Sequence, residues 1–185
     1  MRTMLRHAML VLVFASAAAW AQDDAHDHAK HEARAEGCSA FTWNVSHELA
    51  LMARPATSID ATRDGNAIAV VPDKHYLVHL APQASVKFAL APARSRNADG
   101  AYAGLVRFRV EQAGLHRVTL TSRHWIDVVD GDHAIATRDF QGRAGCDRLH
   151  KIVEFELPEG RDLILQFSGD SAENVGLAIT PAPKA

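Results

Sequence analysis

The chain has 185 residues, 22 acidic and 20 basic, for a net charge of −2 with neutral histidines. That balance offers no electrostatic case for nucleic acid or an anionic membrane. Past the first twenty-one residues no apolar run approaches the roughly 20 needed to span a bilayer, which argues against a membrane span in the mature chain.

The first twenty-one residues carry the clearest signal. Arg2 and Arg6 precede an apolar run of eleven, Ala8 to Ala18, and Ala19-Trp20-Ala21 supplies small residues for a signal peptidase. This is the pattern of a Sec-type signal peptide cleaved after Ala21, which places the mature chain in the periplasm or outside the cell. Cleavage leaves 164 residues, enough for one domain with a full core.

Residues 22–37 are polar and rich in His, Asp and Glu, without an apolar stripe, so they read as a mobile tail ahead of a domain over 38–181 and a short end over 182–185. His26, His28 and His31 stand among Asp24 and Asp27. Imidazole and carboxylate suit a transition metal such as zinc or copper. A solvated linker that happens to hold histidines is the plainer alternative, because ordering a tail weakens its binding.

Phe41, Trp43 and Val45 alternate with polar neighbours and read as a strand; Leu49 to Met52 continues as a short strand or one helical turn. Strand patterns follow over 67–71, 76–80 and 86–90, then 106–110 and 116–121. Asp130-Gly131-Asp132 joins the strands 125–129 and 134–136 as a hairpin. Strands over 153–157, 163–167 and 175–179 complete the series, with turn residues every eight to twelve positions. Long helical periodicity is lacking, so the expectation is an all-β, antiparallel sandwich of jelly-roll type. Arg94 to Ala101 reads as a long exposed loop.

Cys38 and Cys146 are the two cysteines. In an oxidising compartment an even pair reads as a disulfide, worth about 4–5 kcal/mol by the chain-entropy model at this separation. Two thiolate metal ligands are the rival reading, but no C-x-x-C spacing supports it.

Further metal candidates lie in the domain. His75 and His79 have helical ligand spacing, yet in a strand four residues span roughly 13 Å, so a site there needs partners such as His116 or His124 from other strands. Around the hairpin, His124, Asp127, Asp130, Asp132 and His133 concentrate donors that suit a hard cation or simply make a turn. Trp125 fits a core position or a sugar-stacking surface. No G-x-S-x-G and no phosphate-cradling glycine motif occurs.

Two resemblances follow from these segments. Tyr102 to Thr121, Trp125 to Ala136 and Leu157 to Phe167 resemble bacterial pre-peptidase C-terminal domains over roughly residues 100–181, which implies a small β-sandwich. The His-rich start, the Cys before F-x-W and the later W-I-D-V-V-D-G resemble a group of short secreted proteobacterial proteins, some of which carry the name homogentisate 1,2-dioxygenase. That name implies an iron site of His and Glu, and this chain has no evident two-His-one-carboxylate arrangement.

Three functions are therefore expected, in this order. The first is a non-enzymatic periplasmic protein that binds or buffers a metal through its tail. The second is an accessory module that binds carbohydrate, the envelope or a secreted partner, which an apolar groove at Trp43, Tyr102 or Trp125 would favour. The third is a metal-dependent enzyme.

Overall fold

A computed structural model describes residues 37–94 and 99–183. The leader and the tail residues His26, His28, His31, Asp24 and Asp27 lie outside the described residues.

The period-two apolar pattern closes into two facing sheets. The first has the order β1 (Thr57–Asp60), β3 (Tyr76–His79), β12 (Asn174–Pro181), β6 (Gly114–Leu120), β10 (Lys151–Leu157), β9 (Thr137–Gly142). The second runs β2 (Ile68–Val70), β5 (Tyr102–Phe108), β11 (Leu163–Asp170), β7 (Trp125–Asp130), β8 (His133–Ile135), with the two-residue β4 (Ala81–Pro82) paired to β5. The result is the expected β-sandwich, but its sheets are mixed: β1 runs parallel to β3 and β2 parallel to β5.

From β5 onward the chain passes repeatedly from one sheet to the other, so each alternating strand offers its apolar face to the same interior. Val118, Leu120, Val153, Phe155, Leu157, Leu177 and Ile179 meet Val106, Phe108, Leu163, Leu165, Phe167 and Val128 there, all essentially buried. Burying a side chain of this kind contributes about 1.5–3 kcal/mol against leaving it in water. Asp130-Gly131-Asp132 does form the hairpin: Asp130 pairs with His133, and Gly131 takes a φ of 62° that favours glycine at the first loop position.

Three local expectations are corrected. Residues 41–46 are not a strand. Asn44 Oδ1 accepts the Ser46 N–H and hydroxyl, and this local bonding turns the chain into helix α1 (Ser46–Met52). Residues 86–90 form no strand either; after a 3₁₀ turn over Gln83–Ser85 the chain becomes a strap, and the Gln166 side chain binds the Leu90 backbone that a neighbouring strand would have bound. Finally, β1 and β9 form where no strand was expected.

Helix α1 lies on the outer face of the first sheet, and a buried charge network joins the two. Arg117 donates from Nε to Glu154 Oε1 at 2.9 Å and from Nη1 to Glu48 Oε1 at 3.2 Å. Its Nη1 also donates to the Asn44 carbonyl, and Trp43 stacks against the guanidinium at 5.0 Å.

The disulfide forms between Cys38 and Cys146. It draws the start of the domain onto the loop between β9 and β10, beside a small cluster of Phe41, Val45, Leu149 and Ile152. The approach is close enough that a Cβ on Gly37 would collide with the Gly145 backbone at 2.3 Å.

Candidate functional site

The candidate metal ligands of the domain are scattered. His75 donates Nδ1–H to the Arg54 carbonyl, and His79 lies between Asn174 and Ser58. His116 bonds the Gly114 carbonyl. His133 has Asp132 at 3.4 Å and Asp130 at 4.0 Å, but Asp130 is already the partner of Arg161 at 2.7 Å. Among the described residues no three His, Cys, Asp or Glu side chains converge on a point that could hold a metal ion.

His124 sits behind the start of β7, fully buried. Ser122 Oγ lies 2.7 Å and Asp170 Oδ2 3.8 Å from it, an array with the components of a catalytic triad. Both approach the same nitrogen, Nδ1, whereas a triad needs the serine and the carboxylate on opposite sides of the ring. Nor can substrate reach a ring with no exposed surface. The array is structural.

Burial pushes the His124 imidazole down to about 4, against the opposing pull of the Asp170 carboxylate. In the unfolded chain the value returns to about 6.5. Only the unfolded chain takes up the proton between these values, so the contribution is complete above about pH 6.5 and is lost as the pH falls towards 4. The difference is about 3 kcal/mol. Urea midpoints of the wild type and a His124→Asn variant, measured from pH 7 to pH 4, are expected to converge as the pH falls. A constant gap between the two would show that His124 charges as easily in the folded state.

A different set of residues does converge. At the open side of the sandwich, between the start of β7 and the strands β9 and β10, lies a groove of about 500 Å³. Its apolar side is Ile126, Val153 and Phe140. Phe140 and Val153 are cross-strand partners and share a face, but here the facing sheet ends, so Phe140 remains 64% exposed.

The cations come from four places: Arg94 at the end of the strap, Arg123 from the loop before β7, Arg138 from β9 and Lys151 from β10. Asp139 is the one carboxylate among the lining residues. Trp125 organises two of the cations, with the Arg94 guanidinium 4.7 Å and the Lys151 ammonium 5.2 Å from its ring centre. Lys151 also donates to the His124 carbonyl.

Trp125 is in turn held by its neighbours. Its Nε1–H donates to Asp127 Oδ1, while Asp127 Oδ2 accepts from Gln166 Nε2 and the Ala93 N–H. Asp127 therefore fixes both the ring and the end of the strap that carries Arg94. Arg123 and Arg138 are exposed, and neither is in ion-pair contact with a carboxylate among the described residues. The positive field extends beyond the groove: His150 is held below its ordinary value first by burial and then by the Arg123 guanidinium.

No family model, curated protein or solved structure matches this chain.

A second cavity, of about 1050 Å³, opens at the opposite end of the strands. It is larger, but its chemistry is already internally matched: Arg107 and Arg109 both reach Asp162, at 3.6 and 2.9 Å.

Of the three aromatics expected to line a binding surface, Trp125 alone lies in the cationic groove. Trp43 stacks on Arg117 and the Tyr102 hydroxyl bonds Glu173. The sequence reading missed Arg94, Arg123, Arg138, Phe140 and Lys151. They come from four separate stretches of the chain, and Arg138 and Phe140 lie on β9, whose exposed sequence carries no apolar alternation.

Proposed function

We propose that this protein is a secreted or periplasmic binding module, without catalytic chemistry of its own, that holds an anionic ligand in the groove at Trp125. The observation that carries the reading is the convergence of four cations on an exposed aromatic surface, two of them preset by Trp125 and two without a carboxylate partner among the described residues. A cation fixed before binding loses less freedom when the ligand arrives, so more of the attraction survives as affinity. The signal-peptide pattern and the disulfide support an oxidising compartment.

The test is a titration of tryptophan fluorescence, in a Trp43→Phe background that leaves Trp125 as the reporter of the mature chain, with a panel of soluble polyanions at low salt. Arg123→Glu combined with Arg138→Glu is expected to weaken binding at least tenfold, since each exposed ion pair is worth about 0.2–1 kcal/mol and reversal adds repulsion. Arg63→Glu, on an exposed turn, is the control. Equal loss in the control, or no response to any polyanion, would remove the groove as the working surface.

A second reading rests on the sequence of the tail. His26, His28 and His31 with Asp24 and Asp27 have the donor chemistry for zinc or copper. Calorimetric titration of the mature protein with each metal, beside a form lacking residues 22–36, is expected to show binding that depends on the tail. Affinity unchanged by the deletion would place any metal elsewhere.

A further inference from the structure

We infer that the groove's ligand is an acidic polysaccharide, a sugar chain bearing carboxylate or sulfate groups. This rests on the reading of the groove as an anion site and adds the ligand class. Three features separate that class from other polyanions.

The first is the division of labour between the two aromatic rings. Trp125 already carries Arg94 and Lys151, whereas Phe140 presents a largely uncovered face. A flat apolar face beside guanidinium groups with no carboxylate partner among the described residues suits a ring with an apolar C–H side and an acid substituent, as in a uronic acid or a sulfated sugar.

The second is that the groove continues. Arg123 and Gly169 also line an adjoining hollow of about 350 Å³ that contains Asp99, Asp170 and Ser171. The floor thus changes along its length from cations to carboxylates and a hydroxyl. Sugar hydroxyls donate to carboxylates, so a chain rich in both acid and hydroxyl groups matches the whole path. A polyphosphate or nucleic acid, with charge at every step and few donors, would set phosphate against Asp99, Asp139 and Asp170.

The third concerns β9, an edge strand that an extended acidic peptide would use by adding a strand. The Phe140 N–H is already taken by Asp139 Oδ1 at 2.8 Å. That bond withdraws a backbone donor from strand addition, a device that edge strands use against unwanted pairing.

The experiment uses the mature protein, titrated by calorimetry at low salt with an alginate hexamer and a heparin hexasaccharide, beside neutral cellohexaose, polyglutamate and polyphosphate of similar length. At least one acidic sugar is expected to bind ten times more tightly than cellohexaose, polyglutamate and polyphosphate. The sugar arm that responds identifies the acid group as carboxylate or sulfate. Phe140→Ala should weaken acidic sugar binding at least fivefold without moving the melting temperature, since the ring is exposed. Arg123→Gln with Arg138→Gln should weaken it at least tenfold. If polyglutamate or polyphosphate binds as tightly as the sugars and Phe140→Ala changes nothing, the sugar assignment is overturned while the groove stands as an anion site. If no polyanion binds in a way that the arginine variants reduce, both readings fall.

Discussion

Replacing Arg117 with methionine is expected to destabilise the protein by about 3–5 kcal/mol, the cost typical of removing one partner from a buried ion pair. Glu48, Arg117 and Glu154 are 1%, 6% and 8% exposed. Arg117 bonds both carboxylates, so its loss leaves two acids facing one another with little water to solvate them. It also frees the Asn44 carbonyl and the face of Trp43. Glu48 has no slack to absorb the change, because its Oε2 is buried without a hydrogen-bond partner even in the intact network.

Much of that loss should return in the triple variant Glu48→Gln, Arg117→Met, Glu154→Gln, which removes the charges together with their partner. Neutral replacement of a whole buried ionic set is often close to neutral in stability. Urea unfolding at pH 7 with the slope compared across variants measures both effects. A loss below about 1 kcal/mol in Arg117→Met would show that the network is hydrated and contributes little.

The double variant Cys38→Ser, Cys146→Ser should also lose several kcal/mol. The bridge spans 108 residues, and a loop of that length corresponds to about 4.7 kcal/mol in the chain-entropy model. Residual structure in the unfolded chain reduces the figure. The folded-state consequence is local. Phe41 and Val45 pack with Cys146, Leu149 and Ile152 away from the main core, so hydrogen exchange over residues 38–45 should rise while β6, β11 and β12 keep their protection. The midpoint in denaturant of the oxidised protein and of the variant decides the magnitude. Equal midpoints would mean that the bridge follows the fold without stabilising it.

The two variants act on one region. Asn44 and Trp43 lie between the disulfide and Arg117, and helix α1 begins immediately after them. The groove is organised elsewhere, by Asp127, Trp125 and the strap. Arg117→Met is therefore expected to lower stability more than ligand affinity in whatever fraction remains folded.

Much of the sandwich could be read in the amino-acid sequence, for a simple reason. A strand with one face in the core must be apolar at every second residue, as at Val153, Phe155 and Leu157 or Val175, Leu177 and Ile179. The hairpin at Gly131 was legible because few residues tolerate its backbone angle, and the disulfide because two cysteines after an expected signal peptide leave one pairing. Strand β9 was hidden, since Thr137–Gly142 is almost wholly exposed and needs no apolar alternation. The opposite error occurred at 41–46, where true alternation serves a satellite cluster and Asn44 bends the chain into a helix.

The sequence by itself determined the fold class, the hairpin and the pairing of the cysteines. Periodicity, turn chemistry and residue counts are local or global properties that survive without coordinates. Which strands sit side by side, and in which direction, was decided only by the tertiary structure, and with it the groove. Arg94, Arg123, Arg138 and Lys151 are ordinary surface cations until a strap, a loop and two strands bring them around Trp125 and leave Phe140 uncovered at the edge of the sandwich. A site made of exposed residues from four elements is under no packing constraint that would mark it in the sequence.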